Sequence, residues 1–214
     1  MSRPGRLLIV AVWLVCALAL PGRAQDAAPE SGDPPGEGPA VETLKLLAGA
    51  GIGLGLHEAG HLAFDWAFDA QPRLGRVELG GIPFFAIAHR TDLSPRREYV
   101  VSAAGLWTQY VTSEWILSRR PNLRGEDSPV LKGLLAFDLV TSAGYGVVAL
   151  ARGGPAERDT RGMAAGARVS ERAVGGLVLV PAVLDAWRYV RPESRWAAWI
   201  SRAAKIGTVA LLIR

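Results

Sequence analysis

The sequence predicts a mainly α fold, a polytopic transmembrane helical bundle with a short β-hairpin after its first long helix. Three observations carry that expectation. Half of the 214 residues are hydrophobic and the mean hydropathy is +0.19. The apolar residues are gathered into runs of about one bilayer thickness each. The charged residues, arginine foremost, stand between these runs, so the formal net charge of +4 reads as membrane flanks. A nucleic-acid-binding face would instead need basic residues clustered together with aromatics, and no nucleic-acid partner is expected.

Residues 1–24 have the layout of a secretory signal: Arg3 and Arg6, an apolar stretch from Leu7 to Leu20, then Gly22 and Ala24 before Gln25. An uncleaved anchor helix is the alternative. The single cysteine, Cys16, lies in this leader, so the chain after it offers no disulfide and no clue to redox compartment. Residues 25–40, QDAAPESGDPPGEGPA, are rich in Pro, Gly and acidic residues and read as a flexible linker. Residues 41–214 form the membrane-embedded domain.

Leu44 to Phe68, LKLLAGAGIGLGLHEAGHLAFDWAF, is nearly unbroken apolar sequence with His57, Glu58 and His61 at its centre. Ionisable groups persist in such surroundings only when paired or bound to a metal. HEAGH fits the HExxH pattern. Positions i and i+4 share one helix face, so His57 and His61 can offer two imidazole nitrogens to one zinc ion, with Glu58 beside them as general base. Two of the chain's three histidines are used in this motif.

Gln71, Pro72 and Gly75 break the helix, and Val77 to Leu79 and Phe84 to Ala88 are β-prone runs around Gly80-Gly81, a hairpin pattern. His89, alone at a strand end beside Arg90, reads as solvated and outside the site. Four further apolar stretches follow, Tyr99 to Leu117, Val130 to Ala151, Ala173 to Val190 and Trp196 to Ile213, although Arg202 and Lys205 interrupt the last one as a crossing. Tryptophans lie mainly near the ends of these stretches, and glycines inside them permit close helix packing in lipid. The loops at 71–97 and 152–172 carry twice the arginines of the opposite loops and are expected to face the cytoplasm. A leader removed on the outer side gives the same orientation.

HEAGH in an apolar helix, a Gly-Gly hairpin and then SPRREYVVSAAGLWTQYV together resemble the site-2 protease family of intramembrane zinc metalloproteases. The likeness spans roughly residues 44–190. Ala104-Gly105 match the Ala-Gly of that family's Ala-Gly-Pro helix start, Leu106 replaces the proline, and Gln109 stands where the family has an asparagine that binds substrate. Gln109 could instead make an interhelical hydrogen bond. The resemblance implies a third zinc ligand, an aspartate on a later helix. Asp159, in ERDTRGMAAG, ranks first, followed by Asp185, in LVPAVLDAW, and Asp138, in GLLAFDLV. Asp159 also suits a helix N-cap, and Asp185 a salt bridge with Arg188. Asp65, one turn beyond His61, could orient an imidazole.

Soluble zinc peptidases fit less well. A third histidine in the extended three-histidine motif would fall at Ala67, with Phe64 in its glycine position, and a downstream glutamate ligand would be Glu78, in the hairpin. The expectation is therefore a zinc metallopeptidase of a bacterial inner (cell) membrane, acting on a peptide or transmembrane protein substrate within the lipid bilayer. A catalytically silent membrane scaffold, its polar groups forming an interhelical network, is the alternative of a different class.

Overall fold

The computed structural model describes residues 38–79, 82–90, 92–154 and 157–211. The expected signal segment at 1–24 and the linker up to residue 37 lie outside the described residues, as does the Gly80-Gly81 turn. The first helix, α1 (Pro39–Ala67), starts earlier than the linker reading allowed, with Pro39 in its first turn. Proline is preorganised for that position, where its missing N–H costs nothing. α1 ends as the backbone turns through left-handed conformations at Asp69 and Gln71.

The buried face of α1 is Gly49, Gly53, His57, Gly60, His61 and Asp65, a stripe of small and polar residues at helical spacing. Its leucines point outward, with Leu44 67% and Leu47 59% exposed. A soluble helix buries its apolar stripe and exposes its polar one, so α1 has the inverse pattern. The glycines on the buried stripe allow backbone contact with α3 (Pro129–Ala151). A methyl group on Gly49 would lie 2.0 Å from the Val130 carbonyl oxygen, and one on Gly133 would lie 1.9 Å from that of Leu46.

After α1, β1 (Arg73–Leu79) and β2 (Ile82–Ala88) pair antiparallel, Arg73 opposite Ala88 and Leu79 opposite Ile82. The hairpin is the one expected, with longer strands. Ala70 accepts a backbone hydrogen bond from Arg90 at 3.0 Å, closing the base of the hairpin. The chain then enters α2 (Pro95–Arg119), whose buried residues run from Tyr99 through Leu106 and on to Leu117. α3 follows, then the short α4 (Asp159–Ala167), α5 (Glu171–Val190) and α6 (Arg195–Ala210). α1 packs on α2 and α3, α3 on α5, and α5 on α6. One apolar cluster, including Tyr99, Leu106, Met163, Val174 and Val178, joins α2, α4 and α5.

Among the described residues, three helices, α1, α3 and α5, are long and apolar enough to cross a membrane. Of the other two expected stretches, the one at 99–117 lies within α2 and the described part of the one at 196–213 forms α6, but neither helix reaches that standard. α6 has 16 residues, about 24 Å at 1.5 Å per residue, against a hydrocarbon core of about 30 Å. Both helices also carry charged residues that turn inward. Glu114 on α2 meets Arg188 at 2.7 Å, Arg202 at 2.8 Å and Lys205 at 3.3 Å, and Asp185 on α5 meets Lys205 at 2.6 Å.

The glycine contacts make a paired prediction. Gly133→Ala should force α1 and α3 apart and lower stability by about 1–3 kcal/mol. Gly144→Ala, on the same helix with nothing within 4 Å of the new methyl, should be neutral or stabilise by up to about 1 kcal/mol. Thermal melts of the two variants in one detergent measure the difference.

Candidate metal centre

α1 supplies the two histidines one turn apart, and α4 supplies an aspartate from its first residue. The structure brings His57, His61 and Asp159 together, with one ligand atom from each lying within 4.8 Å of the others. The two Nε2 atoms are 3.2 Å apart, and each lies 3.4 Å from Asp159 Oδ2. Bonds of about 2.0–2.1 Å in a tetrahedron place ligand atoms about 3.3–3.5 Å from one another. The three donors already have the spacing of one face of such a tetrahedron, and the set fits a divalent metal ion.

The surroundings hold the donors in place. His61 Nδ1 donates to the Val101 carbonyl oxygen at 2.8 Å, which leaves its Nε2 lone pair facing the centre. His57 lies against Tyr145 of α3, the rings nearly parallel and 6.0 Å apart. Gly105 of α2 lies directly beneath both imidazoles, since a methyl there would come within 2.4 Å of His61 Nε2 and 2.5 Å of His57 Cε1. Only a bare α-carbon fits. That is the physical reason for a glycine at this point of α2.

The cap residue of α4 is Arg158 and Asp159 is the first residue inside the helix, so the N-cap role that its sequence suited is not the one it has. Arg158 grips Glu171 through two bonds, Nε to Oε1 at 2.5 Å and Nη2 to Oε2 at 2.7 Å, and Thr160 donates to the same carboxylate at 3.2 Å. This clamp fixes the turn that aims Asp159 at the histidines. Burial pushes the Asp159 pKa up, but the neighbouring imidazoles outweigh it and hold the carboxyl well below its usual range. Glu58 is half-buried beside the trio but is not one of its members, and its Oε2 is buried without a hydrogen-bond partner.

The lower-ranked aspartates lie elsewhere. Asp185 accepts from Ser201 at 2.6 Å and Ser113 at 3.1 Å and pairs with Arg188 and Lys205. Asp138 accepts from Thr112 at 2.5 Å. Gln109 is buried and its Oε1 accepts from Ser142 at 3.3 Å, the interhelical bond and not a place in the metal centre. His89 stays outside the trio, yet it is not simply solvated: Nε2 meets Glu98 at 3.0 Å and Nδ1 faces Asp65 at 3.8 Å. The Glu98 hydrogen bond raises the His89 pKa, against the opposing pull of burial. Asp65 is thus turned to His89. Tyr145 and the Arg158–Glu171 clamp were not singled out from the sequence, where no motif marks them.

A cavity of about 560 Å³ opens onto the centre, with His61 and Asp159 in its wall. Ile87, Ala88 and His89 at the end of β2, Glu98 and Ser102 at the start of α2, and the turn before α4 line the rest. It gives water a route to His61 and Asp159. Comparison of the chain with protein-family models, with curated proteins and with solved structures finds no match.

The geometry separates the three aspartates experimentally. Asp159→Ala should lose most bound metal, measured by elemental analysis of protein purified in detergent. Asp185→Ala should keep its metal and lose about 3–5 kcal/mol of stability, because it strands buried cations. A metal-free Asp185→Ala with a loaded Asp159→Ala would reverse the assignment.

Proposed function

We propose that the protein is an intramembrane zinc metalloprotease of the kind the HEAGH helix resembles, hydrolysing peptide bonds of membrane-associated substrates. The observation that carries this reading is the convergence of His57, His61 and Asp159 at tetrahedral spacing beside an unpartnered Glu58. The inverted amphipathicity of α1 supports the membrane part, since its polar centre faces inward and its leucines outward. α1, α3 and α5 would cross the bilayer of a bacterial cell membrane, with α2 and α6 completing a polytopic bundle.

A zinc ion bound by the trio would supply Lewis acidity and bring the pKa of water towards neutrality. The chain's own residues do the remaining work. Glu58 accepts the proton of the attacking water and returns it to the leaving amine. Val101 keeps His61 in the tautomer that binds, and Asp159 contributes the negative charge a low-dielectric site needs beside a divalent ion. The end of β2 in the cavity wall offers main-chain groups to an extended substrate segment, exposing a peptide bond that a helix would conceal.

Glu58→Gln should abolish peptide cleavage while leaving metal content unchanged, because the side chain is a base and not a ligand. A variant with full activity would end the proposed mechanism, and one without metal would move Glu58 into the ligand set. Topology has its own test. Reporters fused at Arg97 or Arg161 should read cytoplasmic and one at Asn122 external, following the arginine bias of the loops.

A further inference from the structure

A second polar site lies between α2, α3 and α5, sharing no wall residue with the metal cavity. It is a cavity of about 10 Å³ whose wall includes Gln109, Tyr110, Ser113, Asp138, Ser142 and Asp185. Three of these residues are almost inaccessible, Gln109 at 1%, Asp138 at 2% and Tyr110 at 7% exposure. Each keeps one polar atom without a hydrogen-bond partner: Gln109 Nε2, Asp138 Oδ1 and the Tyr110 hydroxyl. Leaving such groups unpaired in an interior is destabilising. Native interiors rarely tolerate three together.

The other polar groups around the cavity are already engaged. Asp138 Oδ2 holds the Thr112 hydroxyl, Gln109 Oε1 holds that of Ser142, and Asp185 is surrounded by Ser113, Ser201, Arg188 and Lys205. A group that satisfies all three must accept a bond from an amide N–H, donate one to a carboxylate oxygen and pair with a phenol. Water has both capacities. A metal cation can accept nothing from Gln109 Nε2, and it would also lie close to the Lys205 ammonium, which bonds Ser113 in the wall at 3.2 Å. The volume points the same way, since a buried water needs about 10–15 Å³.

We propose that this cavity binds one sequestered water molecule, which completes the hydrogen bonding of Gln109, Tyr110 and Asp138 and ties α2 to α3. Gln109 then serves an internal water and not the substrate. This assignment does not depend on the metal centre or on proteolysis.

X-ray hydroxyl-radical footprinting of the full-length protein in detergent micelles tests it, because radicals formed from a bound water oxidise the ring beside it. Tyr99 is the internal control: it too is buried, at 1% exposure against 7% for Tyr110, its hydroxyl donates to the Thr208 carbonyl, and it lines neither cavity. Tyr110 should be oxidised several-fold faster than Tyr99, and equal protection of the two would overturn the proposal. Gln109→Met keeps the length of the side chain but removes the donor. With helicity retained by circular dichroism, its Tyr110 labelling should fall to the Tyr99 level, and unchanged labelling would count against the site. Melting temperatures should be the same in sodium, potassium and choline chloride. A rise specific to one cation would replace the water with an ion.

Discussion

The contact between the bare α-carbon of Gly105 and the rings of His57 and His61 sets where α1 and α2 cross, and the metal centre depends on that crossing. At this distance the Val101 carbonyl reaches His61 Nδ1, and Gly60 of α1 comes against the Ala104 carbonyl, where a methyl would be 2.8 Å away. α4 uses the same device. Gly162 faces Ser102 and Gly166 faces the Pro95 carbonyl, each too close for a side chain. Glycine on α1, α2 and α4 thus lets three backbones converge, and the side chains that remain between them are the two imidazoles and the carboxylate. A larger residue at Gly105 would push against both imidazoles and remove the geometry without changing any of the three donor residues.

The polar interior has a consequence for the outside. Because α1 buries Gly49, Gly53, Gly60, both histidines and Asp65, its leucines turn outward, and Trp66 is 71% exposed. α6 repeats the pattern, burying Ser201, Lys205 and Thr208 while Trp196, Trp199 and Ile206 face out. α1 and α6 stand at opposite ends of the packing order. Apolar surface therefore appears on both flanks, as a surrounding lipid phase requires. At 16 residues α6 is too short to join the set of apolar helices, and its Arg202 and Lys205 turn to Glu114 and Asp185.

How much of this was legible in the sequence follows from how local each feature is. His57 and His61 were readable because an i, i+4 pair on one helix needs no knowledge of the rest of the fold, and the hairpin because alternating β-prone runs flank Gly80-Gly81. The third donor was not readable in the same way. Asp138 and Asp185 sit among apolar neighbours and Asp159 between Arg158 and Thr160, and it was a family resemblance, not the residues' own chemistry, that ranked Asp159 first. His89 was misjudged for a related reason: its partners Glu98 and Asp65 come from two different helices, 9 and 24 positions away in sequence. Helices 95–119 and 195–210 were recognised as helical, but their buried ion pairs are long-range and left no local mark.

The nature of each partner separates structural acids from functional ones in this protein. Asp185 and Glu114 face arginine and lysine, so their charges are balanced within the fold and their removal would leave cations stranded. Asp159 faces two imidazoles, which carry charge only when protonated, and the arginine next to it in sequence is committed to Glu171. A carboxylate and two imidazoles converging on one point form a cluster whose donor atoms are directed inward. A proton shared among them satisfies it poorly, whereas a divalent cation satisfies all three donors at once. In the proposed mechanism Glu58 stays outside the ligand set, because a second carboxylate bound there would weaken the positive field that makes a nearby water acidic.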